Sequence, residues 1–136
     1  MSATGEEFYV PIRSAADIVV ARQKGRALAV SLGFAGSDPT VIAAAISEVA
    51  RNIVNHAKHG EIVLAGIHDS GRHGIQILAR DEGPGIPDVE QAMQYGFSSG
   101  KGMGVGLPGA KWLMDDFDIQ SQIGKGTKVT MRKWVH

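Results

Sequence analysis

Cysteine is absent from the 136-residue sequence, and so is any long apolar run. Without cysteine the chain can form neither a disulfide scaffold nor a thiolate zinc site. The longest apolar run, Val41 to Ile46, is far shorter than the ~20 residues that a membrane helix needs. The first residues carry acid where a signal peptide carries base. We therefore expect a soluble, cytoplasmic protein that makes no membrane contact and folds as a single domain over residues 1–136.

The sequence also lacks an excess of charge of either sign. Fourteen Lys and Arg residues balance fourteen Asp and Glu residues, and the isoelectric point is near 7.0. Nucleic-acid-binding proteins usually carry a strongly basic face, so we expect no nucleic-acid partner. A short basic cluster of Arg22, Lys24 and Arg26 is most simply a solvated face, and partner docking is the alternative.

Local patterns predict the order of the secondary structure. Apolar, β-branched segments predict strands over residues 7–13, 61–68, 74–81, 117–123 and 127–135. Periodic apolar residues predict helices over 14–32, 38–60 and 107–114, with a shorter helix before the last of these. Consecutive hairpins of this kind predict an α/β two-layer sandwich, in which a mixed, mostly antiparallel sheet carries helices on one face.

Three polar residues share one side of the second predicted helix. Glu48, Asn52 and His56 are four positions apart, so they lie beside the apolar stripe that begins at Ile42. An amide oxygen suits a hard cation such as Mg²⁺, and a carboxylate can take a proton from a hydroxyl. The alternative is an ordinary solvated helix face.

Asp81 ends a predicted strand on the same face as three apolar residues. Because side chains alternate along a strand, its carboxylate should point toward the helices, where it needs a hydrogen-bond donor. The turn that follows, Glu82 to Pro87, contains Gly83 and Gly85 and leaves room for a flat ligand. The carboxylate could accept a hydrogen bond from the exocyclic amine of adenine, or it could cap its own turn.

Glycine is the residue in excess. Eight of the eighteen glycines fall between Gly83 and Gly109. The glycine-rich residues 97–107 run into a predicted helix, where backbone amides and the helix dipole favour phosphate binding; a merely flexible loop is the alternative. A dinucleotide fold would place this pattern directly after a strand, and a Walker A loop would place Ser or Thr after Lys101, so neither applies.

The order of these segments resembles the GHKL ATPase/kinase family. The matching motifs are Glu48-x-x-x-Asn52, Asp81-x-Gly83-x-Gly85, Gly102-x-Gly104-x-Gly106-Leu107 and Gly126-Thr127. The resemblance implies that family's Bergerat fold, which is a sandwich of the predicted kind, and implies ATP and Mg²⁺ as cofactors.

The resemblance also implies a role for each matching residue. Asn52 would hold Mg²⁺, Asp81 would bind the adenine amine, and Glu48 would act as general base or orienter. The residues it implies at the nucleotide are Asn52, Asp81, Gly83, Gly85, Gly102, Gly104, Gly106, Leu107 and Thr127. We add Lys101 as a further cation near the phosphates.

Within the family, the sequence is most similar to the small bacterial serine/threonine kinases of the stressosome. It lacks the phospho-accepting histidine motif of sensor kinases and the appended domains of gyrases and chaperones. The resemblance implies STAS-domain proteins as substrates and a PP2C-type phosphatase that is bound and activated after release. Anti-sigma factor kinases share the motifs and are one alternative; a nucleotide-gated binding module without catalysis is the other.

Overall fold

The computed structural model describes residues 2–57, 59–86, 88–93 and 106–136, without the side chains of residues 2–6, 91 and 92. The elements follow the predicted order. They are β1 (Ser2–Ile12), α1 (Ala15–Ser31), α2 (Asp38–His56), β2 (Gly60–Asp69), β3 (Arg72–Asp81), α3 (Val89–Ala92), α4 (Gly106–Leu113), β4 (Asp116–Gln122) and β5 (Gly126–Trp134).

The five strands form one sheet in the order β1-β2-β3-β5-β4. All four pairings in this sheet are antiparallel, so the described strands contain no parallel pair of the kind a mixed sheet would have. β1 is an edge strand, as its proline predicts: Pro11 pairs with Glu61 but has no N–H to donate to a second neighbour.

Helices cover one face of the sheet and enclose the core. Inward positions of the strands, such as Ile62, Leu64 and Ile77, are fully buried. The predicted stripe of α2 packs onto them, and its members are at most 1% exposed. This stripe consists of Ile42, Ile46, Val49 and Ile53. Removing any one of these large side chains leaves a cavity and costs about 2–5 kcal/mol.

β1 begins at Ser2 rather than at residue 7. Two further boundaries differ from the prediction for local reasons. α2 ends at His56 because Gly60 already belongs to β2, where it pairs with both Ile12 and Asp81. The connection between β2 and β3 is a two-residue turn of Ser70 and Gly71, rather than the five-residue turn expected. Both residues have positive φ, 52° and 83°, which matches the twist of tight hairpins.

At the N-terminus of α1, the side-chain contact to the backbone comes from Asp17 rather than from Ser14. Ser14 is the N-cap residue, but its side chain makes no capping hydrogen bond. The Arg13 backbone N–H instead donates to Asp17 Oδ2 at 2.8 Å, and this bond lowers the pKa of the Asp17 carboxyl. None of the helices in the described ranges is both long and apolar enough to cross a bilayer.

Candidate functional site

Asp81 lies where the sequence predicts, at the end of β3 and on the helix-covered side of the sheet. It pairs with Gly60 on one side and Thr127 on the other, and it is half-buried. Its Oδ1 accepts a hydrogen bond from the Gly83 N–H at 2.9 Å, which is the turn-capping arrangement. No described residue donates to Oδ2 in the structure, so one oxygen caps the turn while the other is available to a ligand.

The turn after Asp81 is held by two close backbone approaches. A Cβ on Gly83 would lie 2.6 Å from Ala57 Cβ, directly after α2. Gly85 has φ of +80°, and a Cβ there would lie 2.4 Å from the Gln122 carbonyl oxygen. Only glycine fits both positions, so the turn is wedged between the end of α2 and the β4–β5 hairpin.

Ser121 is a residue of this region that the sequence interpretation missed. Its Oγ accepts the Ile86 N–H at 2.7 Å and lies 2.9 Å from Thr127 Oγ1. Thr127 is 6% exposed, so its hydroxyl is part of the interior. The alternation of Phe117, Ile119 and Ser121 on β4 was the available signal, because it directs Ser121 to the same face as Asp81.

Glu48 joins α2 to the start of α4. Its side chain is 12% exposed, and its Oε1 accepts hydrogen bonds from Arg51 Nη1 at 2.9 Å and from the Gly106 N–H at 3.1 Å. Gly106 is the first residue of α4 and has φ of +73°. The structure therefore brings together two residues that are 58 positions apart. Arg51, the third member, was not predicted.

Asn52 is half-buried, one helical turn from Glu48. Its amide makes no hydrogen bond to the described part of the chain. Within those same residues, no three His, Asp or Glu side chains are placed to hold a metal ion. His56 is exposed near the end of α2.

The remaining predicted residues divide into two groups. Leu107 is 5% exposed and its side chain belongs to the hydrophobic core, so it supports α4 rather than presenting its side chain to a ligand. Lys101, Gly102 and Gly104 lie outside the described residues.

A polar groove of about 520 Å³ also borders Asp81 at the ends of β3, β4 and β5. It includes Thr127 and the cations Arg80, Lys125 and Lys128, but neither Glu48 nor Asn52. The groove therefore borders the Asp81 end of the predicted nucleotide site and not the Glu48 end.

The histidine kinase-like ATPase domain family matches residues 13–133 of the sequence. The chain belongs to this family, the GHKL ATPases, and ATP is the nucleotide that the domain binds. The resemblance inferred from the motifs is thereby confirmed.

Two relatives are similar to this chain over most of its length. Serine/threonine-protein kinase RsbT of Bacillus subtilis is 49% identical over 119 residues, which is 88% of this chain and 90% of that protein. An anti-sigma F factor of Caldanaerobacter subterraneus is 35% identical over 109 residues, covering 72% of this chain and 75% of the relative.

Two solved structures share the fold. The first, of RsbU and RsbW domains from Mycobacterium tuberculosis, superposes with a TM-score of 0.61 at 22% identity, over 95% of this chain and 32% of the other. The second, the mycobacterial sensor histidine kinase MprB, gives 0.57 at 18% identity, over 93% and 97%. Both confirm the α/β sandwich, and at these identities the likeness concerns the fold alone.

Proposed function

We propose that this protein is an ATP-dependent serine/threonine kinase that phosphorylates STAS-domain proteins in a stress-signalling partner switch. On release it would bind and activate a PP2C-type phosphatase. We also propose that residues 1–136 act as one kinase domain in the cytoplasm. The observation that carries the proposal is the placement of Glu48 and Asp81 at opposite ends of one stretch of α2.

Helix geometry gives the separation of these ends. The Asp81 turn contacts Ala57, and Glu48 lies nine residues earlier, a rise of about 14 Å along the helix. Asn52 falls between them. A nucleoside triphosphate bound along α2, with its base at the Asp81 turn, would therefore direct its phosphates toward Glu48 and the start of α4.

The Asp81 turn supports recognition of adenine. Asp81 Oδ2 is left available by the capping bond to Gly83, and it can accept the exocyclic amine of the base. Gly83 and Gly85 let the turn pack against Ala57 and the Gln122 carbonyl, and this packing fixes the position of Asp81. Thr127 contributes indirectly, because its hydroxyl holds Ser121 and Ser121 holds the turn.

The side chain of Asn52 suits Mg²⁺ better than a transition metal. A half-buried amide oxygen is a hard neutral ligand, and Mg²⁺ is usually held by one or two protein groups together with phosphate oxygens and water. When bound, the ion would neutralise negative charge on the phosphates. Gly102, Gly104, Gly106 and Lys101 are the proposed phosphate-side residues.

Glu48 is the proposed catalytic residue. The serine or threonine hydroxyl of the partner attacks the γ-phosphorus, the bond from that phosphorus to the β,γ-bridging oxygen breaks, and ADP leaves. The hydroxyl proton passes to the Glu48 carboxylate, whose Oε1 is held by Arg51 and the Gly106 N–H. Most of the acceleration in phosphoryl transfer comes from such positioning and from electrostatic stabilisation.

The relatives support a protein substrate. RsbT is a serine/threonine-protein kinase, and the similarity to it extends over nine-tenths of its length. The anti-sigma F factors favour a second candidate function, in which the chain sequesters a sigma factor and transfers phosphate slowly or not at all.

Radiolabelled ATP and purified STAS-domain proteins test the proposal. We expect wild-type protein to label a serine or threonine, and Glu48→Gln to do so about 10²–10⁴-fold more slowly with unchanged ATP affinity. Glu7→Gln is the matched control, because Glu7 is exposed on the edge strand β1. Equal rates for wild type and Glu48→Gln would exclude Glu48 as the catalyst. Absence of labelling, with tight sigma-factor binding, would support the second function.

A further inference from the structure

α1 carries an apolar stripe on its exposed side. Ala16, Val20, Gln23, Ala27 and Val30 are all exposed, and they recur at intervals of four, three, four and three residues. At 100° per residue, they lie within about 80° of one another around the helix axis. This is the spacing of the contact positions in a coiled coil, with one polar residue at the centre.

The stripe is separate from the face that α1 buries. Ala21, Gly25 and Ala29 form the buried side, which packs on α2. Val20 is 39% exposed and Val30 is 54% exposed on the opposite side. A helix in a sandwich of this kind needs only one apolar face, so the second indicates a contact outside this chain.

The charges beside the stripe indicate what makes that contact. Arg26 flanks it on one side, and Lys24 flanks it on the other. The carboxylate in this part of the helix, Asp17, is paired with Arg13. Two copies of this chain meeting here would place like charges together, whereas acidic flanks on a partner would be attracted.

We propose that the exposed stripe of α1 binds an amphipathic helix of a partner protein, with an apolar seam against the stripe and acidic residues against Lys24 and Arg26. The binding is a coiled-coil-like helix pair formed away from the nucleotide. It goes beyond the proposed kinase activity and does not depend on it.

The test uses two synthetic helical peptides of about three heptads each, with leucine at the seam positions. One carries Glu at the flanking positions and the other carries Lys there. Fluorescence anisotropy of each labelled peptide is measured with the full chain, without ATP. We expect the Glu peptide to bind at least about tenfold more tightly than the Lys peptide, by a margin that shrinks with added salt.

Two variants locate the binding surface. Val20→Glu should weaken binding of the Glu peptide about tenfold, and the double variant Lys24→Glu/Arg26→Glu should reverse the preference between the peptides. Both substitutions are on exposed positions, and thermal melting followed by circular dichroism checks that the fold is kept. Ile123→Glu is the matched control, since Ile123 is 73% exposed on the β4–β5 turn.

Three results would overturn the proposal. They are failure of both peptides to bind, equal affinity for the two peptides, and an unchanged preference in the double variant. A concentration-dependent dimer in sedimentation equilibrium that Val20→Glu abolishes would also overturn it, because the stripe would then belong to a second copy. Loss of kinase activity on STAS proteins would leave all of these readouts unaffected.

Discussion

The two ends of the candidate site are held by different kinds of contact. The Asp81 turn is wedged between α2 and the β4–β5 hairpin and is bonded to Ser121 across 35 positions of sequence. Glu48 instead depends on one carboxylate oxygen shared by Arg51 and Gly106. The first end is thus part of the sheet, and the second is a contact between two helices. We therefore expect changes at the Asp81 end to alter nucleotide affinity and stability, and changes at the Glu48 end to alter mainly the rate.

The largest effect at the Asp81 end should come from Asp81→Asn. The carboxylate has to accept from the Gly83 N–H and from the adenine amine together, while asparagine offers a single acceptor oxygen. The unpaired donor should weaken ATP binding about tenfold to a hundredfold, measured by calorimetry. Turnover at saturating ATP should stay close to wild type. Asp118→Asn, on the exposed side of β4, is the control, and unchanged ATP affinity in Asp81→Asn would refute the adenine contact.

A smaller effect is expected from Ser121→Ala. The Ile86 N–H loses its partner at a half-buried position, which should cost about 1 kcal/mol of unfolding free energy in urea denaturation. ATP affinity should fall with stability, because the same bond holds the Asp81 turn. Ser31→Ala, which removes an exposed hydroxyl bond at the end of α1, is the comparison. Full stability in Ser121→Ala would mean that the glycine contacts and the hydrogen bond from the Gly124 N–H to the Pro84 carbonyl fix the turn without it.

The smallest effect is expected from Arg51→Gln, at the Glu48 end of the site. Its side chain is 33% exposed, so losing the ion pair with Glu48 should change the free energy of unfolding by no more than about 1 kcal/mol. The rate of phosphate transfer should fall by no more than about tenfold, because the Gly106 N–H still holds Oε1. Calorimetry should find ATP affinity unaltered. A large loss of affinity would show that the two ends are not independent.

Periodicity accounts for what the sequence predicted well. The four-residue spacing of Glu48 and Asn52 put both on one side of α2, and strand alternation put Asp81 on the inner face, as the structure has them. The contacts that complete the site are long-range: neither Ser121 with Ile86 nor Glu48 with Gly106 is visible in a local pattern. The two-residue turn could not be predicted either, although it is local. Ser70 has a positive φ there, whereas serine ordinarily adopts a negative φ.

The distance between Ala57 and Glu48 along α2 has an evolutionary consequence. Deleting or inserting one residue between them would turn Glu48 by about 100° relative to the Asp81 turn and shift it by about 1.5 Å. The carboxylate would then face away from Gly106. Homologous chains that retain phosphate transfer should therefore show no length variation in this interval, while the tip of the β2–β3 hairpin is free to vary.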